Sequence, residues 1–196
     1  MTKIGLGITG SFCTFDKIYP QIKLLKEHNY TVIPIVNEKI IEWDTRFGMG
    51  KEIKKKLEYF CGNDVVSTII EAERFGPTEP LDLMAIAPAT GNFVASLANG
   101  ITDSTVTMAA KATLRNGNPI VIGVSTNDGL SANAKNISEL LNRKNIFFVP
   151  FGQDDPINKP NSLIAHYDLL LDTINEALDR QQLQPVLREY QKILKK

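Results

Sequence analysis

The 196 residues are 43% hydrophobic, enough for one sizeable core, and carry 22 basic against 22 acidic side chains, a formal charge of zero. That balance leaves no electrostatic case for nucleic acid or an anionic membrane surface, and the basic runs, Lys54-Lys55-Lys56 and Lys195-Lys196, have the size of solvated helix faces. Two cysteines, Cys13 and Cys61, make neither a disulfide framework nor a metal set, and no apolar run has the length of a signal peptide or a membrane span, so a cytoplasmic protein is expected.

In chain order, strand-like apolar runs alternate with helical ones, the pattern of a parallel sheet covered by helices on both faces. A first strand is predicted over Lys3 to Thr9, and a helix from about Asp16 to His28 with Ile18, Ile22 and Leu25 on one face. Pro20 fits that helix only if it begins late. The second strand, Thr31 to Val36, contains Pro34, which cannot donate to a ladder and so points to a sheet edge or a bulge. Ile53, Leu57 and Phe60 then mark a helix closed near Gly62, Asp64 is placed as the cap of a helix running to Arg74, and 74–80 reads as a loop.

Strand three is Leu83 to Ala87. Helices over about Phe93–Ala98 and Ser104–Arg115 follow, separated by Asn99-Gly100. Strand four is Ile120 to Val124, a helix runs from about Ala132 to Arg143, and strand five is Ile146 to Val149. Pro150 to Asn161 reads as a loop on its Gly, Asp, Asn and Pro content, with helices expected from Ser162 to about Arg180 and from Pro185 onward. With no repeat and no linker, 1–196 reads as one domain with a helical extension from about 162.

Three turns fall at the carboxyl ends of strands one, three and four: Gly10 to Thr14, Ala87 to Asn92, and Ser125 to Asp128. All are rich in hydroxyls, amides and small residues. In an open parallel sheet that edge is where ligands bind. Pro88 removes a donor, Thr90 offers a hydroxyl, Gly91 permits close backbone approach, and the helix that follows turns its amides toward the crevice, which suits a phosphate. Asn37-Glu38-Lys39, after strand two, sits where ribose or ribityl hydroxyls are met. The set suits a cofactor rich in oxygens and lacks the Asp, Glu and His cluster of a metal site. Gly5, Gly7 and Gly10 match the letters of a dinucleotide fingerprint, but Gly5 lies inside the strand and no acid closes strand two. No Walker lysine follows the turn, and His28 and His166 read as structural.

Gly7-Ile8-Thr9-Gly10-Ser11, paired with Ile86-Ala87-Pro88-Ala89-Thr90-Gly91-Asn92 and the trailing Ala98-Asn99-Gly100-Ile101-Thr102-Asp103, resembles the flavoprotein family of phosphopantothenoylcysteine decarboxylases, lantibiotic cysteine decarboxylases and flavin prenyltransferases. The likeness implies a three-layer α/β/α Rossmann-like, flavodoxin-like fold with a central parallel sheet of five or six strands. It also implies binding of flavin mononucleotide (FMN) by Thr9, Gly10, Ser11, Phe12 and Asn37, by Ala87, Pro88, Ala89, Thr90 and Asn92, and by Ser125, Thr126 and Asn127. In the decarboxylases the fourth-strand turn reads Pro-Ala-Met-Asn, of which only Asn127 is present, and their active-site histidine before strand three has no counterpart. Ser125 stands where prenyltransferases keep an acid.

Phe151-Gly152-Gln153-Asp154-Asp155-Pro156 and Lys159-Pro160-Asn161-Ser162 extend the likeness to one branch of the family, implying a flavin-dependent oxidoreductase component that acts on a dicarboxylate. Such a component would work with a second, nicotinamide-binding chain. Lys39, Arg46 and Arg115 are the cations considered for that dicarboxylate. Relatives assemble as trimers or larger closed shells, so a homo-oligomer is implied; Phe93, Met108 and Leu114 could bury there, with core packing the favoured reading.

Overall fold

A computed structural model describes residues 1–11, 14–45 and 48–189. Five strands form the parallel body: β1 (Lys3–Ile8), β2 (Thr31–Val36), β3 (Leu83–Ala89), β4 (Ile120–Thr126) and β5 (Ile146–Phe148). They lie in the order β2-β1-β3-β4 with β5 beyond β4, the doubly wound 2-1-3-4-5 arrangement. The chain leaves β1 toward β2 and leaves β3 toward β4, in opposite directions. Right-handed crossovers therefore put α1 (Phe15–Glu27) on one face and α5 (Gly91–Ala98) with α6 (Thr105–Arg115) on the other. α8 (Leu170–Leu178) packs beside α1, while α4 (Ile69–Glu73) and α7 (Ala134–Leu141) pack on α6 and α5. β3 is buried along its whole length, as a central strand covered on both faces must be.

The parallel strands fall where the apolar runs place them, and β2 is an edge strand, as Pro34 requires. Its outer side is partly covered: the amide of Val66 donates to the Pro34 carbonyl and the Val36 amide donates to the Val66 carbonyl, both at 2.9 Å. Asp64 therefore caps nothing. Val65 and Val66 are drawn to the strand, and α4 starts later, behind Thr68, whose hydroxyl accepts from the Glu71 amide while Glu71 reaches back to the Thr68 amide. Thr68→Ala should cost about 1 kcal/mol, a fall in Tm of about 2–4 °C for a chain of this size, measured by thermal unfolding.

Pro20 lies inside α1, which begins at Phe15 instead of late. The helix marked by Ile53, Leu57 and Phe60 is α3 (Gly50–Cys61), which closes on Gly62 at φ 72° as expected, and a short helix that the sequence does not signal, α2 (Glu38–Glu42), directly follows β2. Burial pushes the Cys61 thiol up to about 12, so it packs as a small apolar group. Cys13 lies outside the described residues.

The largest departure is the segment 151–165. It is an antiparallel hairpin, β6 (Phe151–Asp155) and β7 (Lys159–Ala165), and not a loop leading into a helix. Its turn is closed by Asp155, whose carboxylate accepts from the amides of Ile157 and Asn158 and from the Asn158 side chain. β7 then pairs antiparallel with the last two residues of β4, Ser125 and Thr126, so the sheet has seven strands and forks: β4 meets β5 along 120–122 and β7 beyond. The segment from Pro185 is not helical through Glu189; its Leu187 bridges Phe151 in parallel, and 190–196 lie outside the described residues.

Candidate functional site

Thr9 closes β1 and ties it to the end of β3. Its hydroxyl lies 3.0 Å from the Pro88 carbonyl, accepts from the Thr90 amide at 2.9 Å and stands 3.1 Å from the Thr90 hydroxyl. Thr90 is also the N-cap of α5, accepting from the Phe93 amide. The next turn adopts φ 141° at Gly10 and φ 55° at Ser11, the second a left-handed conformation uncommon outside glycine. Ser11 then donates to the Ser125 carbonyl at 3.3 Å, so the turn after β1 meets the start of α5 through Thr9 and the last residues of β4 through Ser11. Phe12 lies outside the described residues.

A cavity of about 630 Å³ opens at this edge, within the range of small-molecule sites. Of the residues singled out from sequence, Thr9, Gly10, Asn37, Glu38, Lys39, Thr90 and Asn92 line it. The remaining wall comes from residues that sequence reasoning did not assign: Trp43, the Ser67–Ile70 turn, Phe93, Ser96, and the Ser104–Thr107 start of α6. The helix start at Ser104 was expected from sequence, whereas the Thr68 start with its Glu71 capping box was not, and nothing in sequence brought the two to one cavity.

The starts of α4, α5 and α6 all border the cavity, and their amides are satisfied to different extents. On α6 the Val106 amide donates to Asn37 Oδ1, the Thr107 amide to Ser104 Oγ and the Met108 amide to the Ser104 carbonyl. On α5 the amides of Gly91 and Asn92 make no hydrogen bond among the described residues. A helix start with open amides and its positive dipole end is an anion site. Lys39 lines the same cavity, its ammonium 5.4 Å from the Trp43 ring centroid. Arg115 sits at the far end of α6, away from the cavity, and Arg46 lies outside the described residues.

The other expected contacts hold different positions. Ala87, Pro88 and Ala89 belong to β3, are buried, and do not line the cavity. Ser125 and Thr126 extend β4 instead of forming a loop, and with Asn127 they do not line the cavity. The Thr126 hydroxyl donates to Asp128, whose two oxygens accept from Asn133 Nδ2 at 3.0 and 2.9 Å; Asn136 then donates to Asn133 at 2.8 Å. This polar chain packs against Gly91, leaving no room there for a side chain. Phe93 is buried, and Met108 and Leu114 pack half-buried against the core.

Bonding from Thr126 and then Asn133 holds the Asp128 carboxyl below the usual carboxylate range. Its contribution to stability is therefore complete above the unfolded value of about 3.9 and lost as pH falls through the lower folded value. The Tm gap between the parent and Asp128→Asn should be widest near pH 6 and narrow toward pH 3, as read by thermal scans across that range.

No helix among the described residues is long and apolar enough to cross a membrane. The chain is 52% identical over 187 residues, 95% of this chain and 94% of the relative, to the B subunit of dipicolinate synthase from Bacillus subtilis (strain 168). The crystal structure of the corresponding B subunit from Bacillus halodurans C superposes with a TM-score of 0.89 at 48% identity, covering 96% of both chains. The FMN-dependent cysteine decarboxylase SpaF shares the fold, with a TM-score of 0.63 at 18% identity, covering 91% of this chain and 96% of that one. The Flavoprotein family pattern matches residues 1–178, and the chain belongs to that family.

Proposed function

We propose that this chain is the B-type component of a dipicolinate synthase. It would bind FMN and take part in oxidising a dihydrodipicolinate-type precursor to dipicolinate in the mother cell of a sporulating bacterium. The observation that carries the reading is the 52% identity to the Bacillus subtilis protein, spread over 95% of the chain. The cavity supports it physically. It lies beside the β1/β3 switch point of a 2-1-3-4-5 sheet, with Asn92 of the α5 start and hydroxyls from Thr9, Thr90, Ser104 and Thr105 on its walls.

In this reading Thr9, Gly10, Asn37, Thr90 and Asn92 hold the cofactor directly, and Ser11 and Phe12 complete the turn beside them. Ala87, Pro88 and Ala89 act from within β3, and Ser125 and Thr126 at the end of β4, with Asn127 after them, support the turns from behind. The Asn37 side-chain oxygen is committed to α6, which leaves its amide hydrogens for an oxygen of the ligand. A bound flavin supplies a two-electron acceptor, which fits an aromatisation that removes two electrons and two protons. The chain's own part is to grip the phosphorylated tail, exclude water with Phe93 and the Trp43 side, and offer Lys39 to a carboxylate.

The chain would act as one domain, assemble as a trimer or dodecamer, and require the A subunit of dipicolinate synthase to pass electrons onward. Co-expression with the A subunit tests this. A yellow protein with a flavin absorption band that bleaches on adding the dihydro precursor supports the proposal. A colourless B chain that restores activity to its partner without added flavin overturns it and leaves this chain an assembly factor.

A further inference from the structure

A larger cavity lies elsewhere. About 850 Å³ opens at the amino-terminal start of β5, the opposite end of the sheet from the flavin cavity. Its apolar side is Phe147 and Val186, and its charged residues are Arg143, Lys144 and Arg180, with no Asp or Glu among the described residues that line it. Arg143 is committed: its guanidinium donates to the carbonyls of Leu97 and Ala98 at the end of α5 and to Glu139. The other two are not. Lys144 is exposed and takes part in no described ion pair. Arg180 directs one N–H to Asn145 Oδ1, at 3.2 Å, leaving most of its five donors open.

The backbone at Arg180 adds a second observation. α8 ends in a double-bonded cap, the Arg180 amide donating to Ala177 and the Gln181 amide to Glu176. Its left-handed position, φ 62°, is the one where glycine is usual, and here it carries an arginine. Asn145, the partner of that arginine, is itself left-handed at φ 65°. Asparagine adopts this conformation readily, but the left-handed arginine is a cost to folding that packing does not offset, since the Arg180 side chain is exposed. The wall behind them is firm. The Gln182 side chain accepts from the Phe148 amide at 2.8 Å and donates to its carbonyl at 2.7 Å, closing the open edge of β5.

We propose that this cavity binds a small organic anion with two or more negative groups on an apolar ring, held by Arg180 and Lys144 with the ring against Phe147 and Val186. The site is independent of the flavin reading. Carboxylate and phosphate both satisfy the chemistry, and the test separates them.

The full chain, saturated with FMN so that the other cavity is filled, is titrated calorimetrically with benzene-1,3-dicarboxylate and with ATP at low ionic strength. At least one should bind with a Kd of about 0.1 mM or tighter, and which one identifies the charged group. Arg180→Gly and Lys144→Gln should each weaken it by about tenfold or more, while Lys54→Gln, on the exposed face of α3, changes it by less than about twofold. Arg180→Gly relieves the backbone, so its Tm should equal or exceed the parent's; Lys144→Gln has no backbone role and guards against misfolding. Absence of binding by both probes, or equal loss in all three variants, overturns the proposal.

Discussion

Ser11→Asp is expected to abolish FMN retention. The position tolerates aspartate conformationally, because Asp is one of the residues that populate φ near 55°, so the fold should survive. What changes is charge: in the proposed binding mode a carboxylate would stand in the turn after β1 beside the FMN phosphate, which carries about −1.5 to −2. At an effective dielectric of about 20, two like charges 4–5 Å apart repel by about 3–4 kcal/mol, more than a hundredfold in Kd. Ser11→Gly is the control, keeping the left-handed turn and removing only the hydroxyl that donates to Ser125. It should keep its flavin with a modest loss of affinity. Flavin content per chain after gel filtration is the measurement; an aspartate variant as yellow as the parent would remove Ser11 from the phosphate site.

The second large effect is steric. A Cβ on Gly91 would stand 2.5 Å from Thr126 Oγ1, 2.6 Å from Asn133 Nδ2 and 2.9 Å from Asp128 Oδ1. Alanine is the better helix former, by up to about 1 kcal/mol. That gain is outweighed, because the three atoms belong to one hydrogen-bonded set and cannot retreat separately. Overpacking costs about 1–3 kcal/mol and each broken buried bond a similar amount. Gly91→Ala should therefore lose about 3 kcal/mol net, a Tm lower by about 6–12 °C, and should displace the α5 start and weaken flavin binding. A Tm within about 2 °C of the parent would mean that the polar set yields freely and does not brace the turn.

Legibility differed by segment, for physical reasons. β1, β3 and β4 were readable because burial on both faces demands continuous apolar runs, and α6 because its Ser104 cap and periodic face coincide. The hairpin at 151–165 was not. β6 is bonded on one side by β7 and on the other mainly through Phe151, so its remaining residues, Gln153 to Asp155, stay polar and half-exposed and carry no strand pattern. α4 was misplaced because Asp64 has the chemistry of a cap, and only the pull of Val65 and Val66 onto β2 moves the helix start to Thr68.

Local composition was enough to determine that strands and helices alternate, that β2 is either an edge strand or bulged, and that hydroxyl-bearing turns end β1 and β3, because those properties follow from burial pattern and backbone freedom along short stretches. Which hydroxyl meets a ligand and which meets the protein was decided only in three dimensions. Thr9 and Thr90 are 81 residues apart and bond to each other, and Thr126 turns to Asp128 instead of into the cavity. A hydrogen-bonding side chain takes the nearest well-placed partner, and for these turns the partners come from strands distant in sequence.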